Sequence, residues 1–137
     1  MDENTVVKEY LTDEMIEAGA RLTEKLDELG LPLQVAMWFF IYAGDQRVAS
    51  LVRFANNVGE RPARPIYWQI EEARKALGDQ AKRIPLPVIG LINANDEIAQ
   101  RLRAGLPTGP GVSRVRFSKN VIGGRFIDDA LIYRSAA

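Results

Sequence analysis

The sequence predicts an α+β fold: a mainly antiparallel sheet built from two β-hairpins and one further strand, with helices packed on at least one face, in the order α-β-β-α-β-α-β-β. Three observations predict it. Apolar residues recur at helical spacing after Thr12, and two long apolar runs are each interrupted by a two-residue turn signal, at 44–45 and 123–124. The length of 137 residues is typical of one domain, so 1–137 is expected to fold as a unit, with 1–10 frayed.

The first helix is predicted over residues 13–29. Thr12 is a good N-cap residue, because its hydroxyl oxygen can accept a hydrogen bond from a first-turn amide. Gly30 ends the helical pattern. Residues 1–30 carry nine acidic and three basic residues. That imbalance favours either a solvated acidic helix or an acidic element that pairs with a basic surface elsewhere in the chain.

The first hairpin is predicted from strands at 34–43 and 46–55, in a register that places Val35 opposite Phe54. Both faces of this hairpin are apolar, so we expect both to be covered. One cover is the domain's own helices, and the second is a helix, a loop or another subunit. The side chains expected to form a self-association face are those of Trp38, Phe40 and Leu51.

Two helices and a strand are predicted between the hairpins. A second helix begins at Pro65, which suits the first helical position, and ends at Gly78. The strand lies within 84–92, and its two prolines place its first part at a sheet edge or in extended coil. The third helix is capped by Asn95.

Residues 108–134 form the C-terminal block, where we expect a functional surface. Its Gly-Pro-Gly stretch at 109–111 predicts a turn and not a phosphate-binding loop, because the Gly-x-Gly-x-x-Gly spacing is absent and no helical pattern follows. The hairpin around 123–124 places Val115 opposite Ile132. This register gives the hairpin a core face and an outward face.

The predicted core face of the second hairpin is apolar apart from Lys119 and Asp128, which we expect to form a structural cross-strand ion pair. A catalytic or ligand-binding role for the pair would need a cavity above it. Asp128 and Asp129 point to opposite faces of a strand, so the Asp-Asp sequence does not predict a metal site. A hydrolase built on either aspartate would need a partner carboxylate, such as Glu71 or Glu72.

The other face is expected to point outward, either as a solvated strand face or as a binding surface. It is basic, with no acidic residue between positions 108 and 127, which favours nucleic acid or an acidic protein as partner. Tyr133 is a candidate stacking platform. The zero net charge of the whole chain argues against nucleic acid. The candidate binding residues are Arg114, Arg116, Asn120, Arg125, Asp129 and Tyr133.

Composition restricts the chemistry further. The chain has no cysteine and no histidine, which excludes disulfides, thiolate metal sites and the Ser-His and Cys-His nucleophile arrangements. Its longest apolar stretch, 35–43, is about half as long as a membrane-spanning helix. The acidic N-terminal residues do not form a signal peptide. We therefore expect a cytoplasmic protein without membrane contact, bound metal or cofactor.

The pattern GPGVSRVRFSKNVIGGRFIDDALIYR, together with GLPLQVAMWFFIY near the front, resembles a group of small bacterial proteins of uncharacterised function. These share a form like G-P-G-[VI]-S…R-F-S-x-N-x-I…I-x-D-A-x-I-Y-R. The likeness covers most of the chain and is anchored on these two stretches. It implies no catalytic residue. It implies that one structural unit contains Arg116, Phe117, Asn120, Asp129 and Tyr133.

Three functions are compatible with these patterns. The favoured one is a non-enzymatic binding or regulatory module that forms a homo-oligomer, because no catalytic constellation is recognisable and the first hairpin is apolar on both faces. The alternative is a nucleic-acid-associated protein that uses the face of Arg114 and Arg116. The third is a metal-dependent or acid/base hydrolase built on Asp128 or Asp129. The fold cannot choose among them, because function depends on the site.

Overall fold

The computed structural model describes residues 12–31, 33–43, 46–55, 63–84, 89–93, 97–109, 111–122 and 125–135. The elements are α1 (Asp13–Glu28), β1 (Leu33–Ala43), β2 (Gln46–Ala55), α2 (Ala63–Lys75), a 3₁₀ helix (Gly78–Arg83), β3 (Ile89–Asn93), α3 (Glu97–Gly105), β4 (Val115–Ile122) and β5 (Arg125–Ser135). The predicted order of helices and strands is confirmed. The predictions for residues 1–10, Asn95 and the two hairpin turns fall outside the described residues.

The five strands form one sheet in the order β3-β2-β1-β5-β4. β2 and β3 run parallel, and the other neighbouring strands run antiparallel. The α+β class and the mainly antiparallel sheet are therefore confirmed. So are both hairpin registers, with Val35 opposite Phe54 and Val115 opposite Ile132. The two hairpins are joined through β1 and β5, and β4 is left as an edge strand of the described sheet.

The ends of α1 follow from its sequence. The Thr12 hydroxyl accepts a hydrogen bond from the Met15 amide at 3.1 Å, as an N-cap does. At the other end Gly30 has a φ of 80°, and the amide of Leu31 bonds the carbonyl of Leu26. The helix therefore stops at Glu28, and the chain turns towards β1. The second helix begins at Ala63, earlier than predicted, so Pro65 lies in its first turn, where no intrahelical amide is lost.

Helices cover both faces of the sheet. The core on one face is built between the sheet, α1, α2 and the end of the 3₁₀ helix, and its largest members include Leu22, Leu26, Trp38, Ile66, Ile70 and Tyr133. The core on the opposite face lies under α3 and contains Val35, Met37, Phe39, Ala99, Leu102, Ile127, Ala130 and Ile132. β1 is thus covered on both sides by helices of its own chain. No helix in the described ranges is long and apolar enough to cross a bilayer.

β5 contains one residue more than β1 where the two strands meet. Ala36 pairs with Arg134, but Met37 pairs with Ile132, so Tyr133 is inserted between two paired residues. Such a bulge re-aims the side chains around it. Tyr133 and Arg134 consequently both reach α1, Tyr133 at Ile16 and Arg134 at Asp27.

The predicted faces of the second hairpin are partly wrong. Val115, Val121 and Phe126, expected in the core, are 37%, 62% and 44% exposed. The reason is that β4 is an edge strand with a neighbouring strand on one side only. In addition, Ile127 lies in the core under α3, so its neighbour Phe126 and the paired Val121 face the opposite side of the sheet near the hairpin tip. Conversely, Asp129 and Tyr133 of the face expected to point outward are buried, because α1 lies over that side.

Candidate binding surface on the C-terminal hairpin

Two aromatic side chains that were predicted to lie on a binding surface or a self-association face are buried under α1. Tyr133 has no exposed surface, and its hydroxyl donates a hydrogen bond to the carbonyl of Ile16 at 2.7 Å. Trp38 is 1% exposed, and its Nε1 donates to the carbonyl of Met15 at 3.2 Å. Tyr133 is therefore no stacking platform, and Trp38 is no part of an exposed self-association face. The side chains of Phe40 and Leu51, predicted beside Trp38, lie outside the described residues.

The helix can approach these rings because α1 carries glycine at the point of contact. A β-carbon on Gly19 would lie 2.6 Å from Nε1 of Trp38 and closer still to the hydroxyl of Tyr133. Real β-carbons essentially never lie within 3.0 Å of another residue's atoms, so the close packing of α1 on the sheet requires a residue without a side chain at position 19. Thr23, one turn further, donates from its hydroxyl to the Gly19 carbonyl at 2.9 Å. Because α1 packs this closely at Gly19, the side of the second hairpin that faces α1 is part of the core.

Arg134 joins three segments of the chain. Its Nη1 and Nη2 donate to the two carboxylate oxygens of Asp27 at 2.9 and 2.6 Å. Nη1 also donates to the carbonyl of Leu33, and Nε donates to the carbonyl of Gly111. The side chain is only 5% exposed. The end of α1, the start of β1 and the segment that begins at Gly111 are thus held by one guanidinium, whose planar fork suits paired acceptors.

The arginines of the predicted binding surface bond carboxylates within the chain. Arg114 donates to Glu17 at 3.0 Å, and both side chains are about half exposed. Arg116 binds Asp129 through Nε and Nη2, at 3.1 and 2.6 Å. The hydrogen bonds that Arg116 donates to Asp129 raise the pKa of Arg116 above its ordinary value, and the charge of Asp13 adds to this effect.

The acidic residues of α1 are spaced to follow this basic segment. Asp13 and Glu17 are four residues apart on a helix, about 6 Å along its axis. Arg114 lies immediately before β4 and Arg116 is the second residue of β4, and two extended residues span roughly 6.6 Å. The spacing of the two acidic residues along the helix therefore matches the spacing of the two arginines along the extended chain. The acidic first helix pairs with the basic C-terminal block, which was one of the two interpretations of its charge.

This pairing changes how the basic face can act. A polyanion would have to displace Glu17 to bind Arg114, and Asp129 holds Arg116 with two hydrogen bonds. Asn120 is exposed, but its side-chain oxygen accepts a hydrogen bond from the amide of Val121 at 2.9 Å. The side chain of Arg125 lies outside the described residues. The candidate residues therefore do not make one continuous exposed basic surface within the described part of the chain.

The sequence did not predict an exposed apolar surface on the second hairpin, because its apolar residues were expected in the core. We call Val121 and Phe126 the apolar hairpin surface. They lie directly opposite each other in the ladder near the hairpin tip, whereas Val115 lies at the other end of β4, paired with Ile132 on the side of α3. Their apolar character was visible in the sequence, but their exposure depends on where the helices pack.

The ladder between β4 and β5 changes its alternation close to this surface. Ile127 is buried in the core under α3, whereas strict alternation from Asp129 would turn it to the side of α1. Lys119, next to the changed position, has a φ of 51°, which lies in the left-handed region. The predicted ion pair of Lys119 stays a prediction, since the side chain of Asp128 is outside the described residues.

The carboxylates considered for acid/base chemistry bind different arginines. Asp129 binds Arg116, and Glu71 binds Arg74 through two hydrogen bonds of 2.7 and 3.0 Å. The hydrogen bonds from Arg74 lower the pKa of Glu71 below its ordinary value. Arg74 also donates to the carbonyl of Ala81, so this pair fixes the 3₁₀ helix to α2. Among the described residues there is no group of three or more acidic side chains arranged to hold a metal ion.

A groove of about 180 Å³ lies between α1 and the residues that follow α2. Its charged lining is balanced, with Arg21 and Lys25 beside Glu24 and Glu28. Lys25 and Glu28 are 3.3 Å apart and neutralise each other. The groove therefore favours neither an anionic nor a cationic ligand.

The chain has no significant match to a protein-family model, to a curated protein or to a solved structure. The resemblance to small bacterial proteins stays a prediction. An inference about function therefore depends on the described contacts and exposed surfaces.

Proposed function

We propose that this chain is a non-enzymatic binding module that self-associates through the apolar hairpin surface. The observation that carries this proposal is the cross-strand pair of Val121 and Phe126, which are 62% and 44% exposed and directly opposite each other. Single exposed apolar residues are ordinary on protein surfaces, but adjacent ones form a patch that favours association.

A second copy of the chain is the partner that the charges favour. Lysines plus arginines equal aspartates plus glutamates, so two copies do not repel each other through net charge. The nearest arginines, Arg114 and Arg116, are already bonded to carboxylates of their own chain. They therefore add little repulsion between two hairpins brought together.

The nucleic-acid alternative receives less support from the same contacts. Phosphate binding gains affinity from lysines and arginines that release counterions. Arg114 and Arg116 each have a carboxylate within hydrogen-bond distance, and Tyr133 is buried. The main proposal includes the cytoplasmic location and the bacterial origin that were expected from the sequence.

Sedimentation velocity over a wide concentration range tests the proposal. We expect wild-type protein to form a small closed oligomer and the Val121→Ser, Phe126→Ser variant to stay monomeric. The matched control is Trp68→Ser, which removes an exposed aromatic residue from α2. This control should associate like wild type, because α2 contributes nothing to the proposed contact. Wild-type protein that remains monomeric up to its solubility limit would overturn self-association.

A further inference from the structure

We infer that Lys119 and Asn120 close the outer edge of β4 to a further strand. Edge strands carry backbone amides and carbonyls that can pair with another chain, so proteins protect them. β4 lies at the edge of the described sheet, and its described side chains are exposed, including apolar ones. Without protection such a strand would favour open-ended sheet growth between copies.

The first protective feature is the backbone of Lys119. Its φ of 51° interrupts the extended path of β4 in the middle of the strand. An added strand has to follow an extended neighbour to form successive hydrogen bonds, so it can match β4 on only one side of this point. The side chain is exposed, and a lysine on an edge strand also disfavours pairing through its charge.

The second feature is the side chain of Asn120. Its Oδ1 accepts a hydrogen bond of 2.9 Å from the amide of Val121. This amide is the next one along β4 after the interruption, and the bond occupies it with a group of its own chain. Two consecutive residues thus act on the same stretch of the edge, immediately before the exposed pair of Val121 and Phe126.

The consequence is a division of roles on the hairpin. Apolar side chains of the hairpin stay exposed and can contact another copy. The backbone edge of β4 beside them does not pair with a further strand. An isologous contact through these side chains closes at two copies, whereas pairing of β4 with the opposite edge strand of another copy, β3, would continue from copy to copy. This inference goes beyond the proposed function, because it concerns the strand pairing that Lys119 and Asn120 prevent at the edge of β4.

Opening the edge tests the inference. In the Lys119→Thr, Asn120→Val variant a β-branched residue disfavours the left-handed backbone, and the amide acceptor is gone. We expect assemblies larger than those of wild type, which grow with concentration and bind thioflavin T. The matched control is Lys119→Gly, Asn120→Asp, since glycine accepts a positive φ and aspartate keeps an acceptor oxygen. This control should sediment like wild type.

Two results would overturn the inference: an opened variant that is folded by circular dichroism and keeps the wild-type size, or a control that grows as much as the opened variant. Amide hydrogen exchange provides a test that does not need the opened variant to fold. The amide of Val121 should exchange several-fold faster in Asn120→Ala than in wild type. Equal rates would contradict the role of Asn120. Failure of self-association would show separately, as a monomeric wild-type protein.

Discussion

The hydroxyl of Tyr133 occupies the space that a side chain on Gly19 would need. A β-carbon at this position would collide with that hydroxyl and would lie 2.6 Å from Nε1 of Trp38. Both rings donate hydrogen bonds to carbonyl groups of α1, at Met15 and Ile16. The placement of α1, and with it the burial of one face of the second hairpin, therefore depends on a glycine in the middle of a helix.

Replacing Gly19 with alanine should destabilise the protein despite the better helix propensity of alanine. Alanine gains about 1 kcal/mol over glycine in a helix interior. Forcing an extra carbon into a packed contact costs about 1–3 kcal/mol, and here the backbone of α1 or both rings must move. Because the new carbon would approach atoms of both rings so closely, we expect a cost in the upper part of that range and a net loss of about 1–2 kcal/mol in urea unfolding. Glu24→Ala on the exposed side of α1 is the control and should change little.

Removing the hydroxyl of Tyr133 should cost less than filling Gly19. Tyr133→Phe keeps the ring and loses one buried hydrogen bond, which is worth about 1 kcal/mol. The Ile16 carbonyl is a helix carbonyl, so an intrahelical partner remains for it. In the double variant with Gly19→Ala the loss should be less than the sum, because the phenylalanine leaves room for the new methyl group. An additive double-mutant cycle would contradict this contact.

The pair of Arg134 and Asp27 should respond unequally to loss of either partner. Asp27→Ala leaves a guanidinium that is 5% exposed without its carboxylate, whereas Arg134→Met leaves a carboxylate that is 40% exposed and can be hydrated. We expect Asp27→Ala to lose roughly 2–3 kcal/mol, and Arg134→Met to lose less. Equilibrium unfolding of both variants measures the difference. Equal losses would mean that the two carbonyl contacts of Arg134 compensate for the missing carboxylate.

Acid should weaken the contact between α2 and the 3₁₀ helix through Glu71. The hydrogen bonds from Arg74 lower the pKa of Glu71 in the folded protein, so the unfolded chain binds more protons between the lowered and the ordinary value. The stabilisation is therefore present above the ordinary glutamate pKa and is lost as pH falls through the lowered one. Denaturant unfolding as a function of pH should show a smaller decline in Glu71→Gln. Glu72→Gln, whose exposed carboxylate is 3.9 Å from Lys75, should decline like wild type.

Local pattern was sufficient to predict the elements and the two hairpin registers. Alternating apolar residues and two-residue turn signals define a register without knowledge of the rest of the chain, and Val115 indeed lies opposite Ile132. The pairing of β1 with β5 was not predicted, since these strands are far apart in sequence. The insertion of Tyr133 appears only when they meet. Without it, nothing indicated that α1 covers the side of Tyr133.

The candidate binding residues were harder to predict, because a strand with two partly apolar faces does not reveal which one a helix will cover. The arginine pattern suggested an open basic face. The signal that pointed elsewhere was the excess of acidic residues in 1–30, and Glu17 and Asp27 do bind Arg114 and Arg134. Pairing with a basic surface was one of the two interpretations of the charge imbalance, and the partners could be identified only from the fold.

Freeing the basic face is the sharpest test between the proposed function and its nucleic-acid alternative. If Glu17 keeps Arg114 occupied and Asp129 keeps Arg116 occupied, wild-type protein should bind single-stranded DNA weakly at low salt, and Asp13→Asn with Glu17→Gln, which frees Arg114, should bind more tightly. The added affinity should fall steeply with salt, by about 0.7 in log K per log salt for each phosphate newly contacted. Arg114→Ala in the same background should remove the gain.

Wild-type binding as tight as that of the double variant, and abolished by Arg114→Ala with Arg116→Ala, would instead support nucleic acid as the partner. In that case the carboxylates of α1 would orient the arginines and would not occupy them.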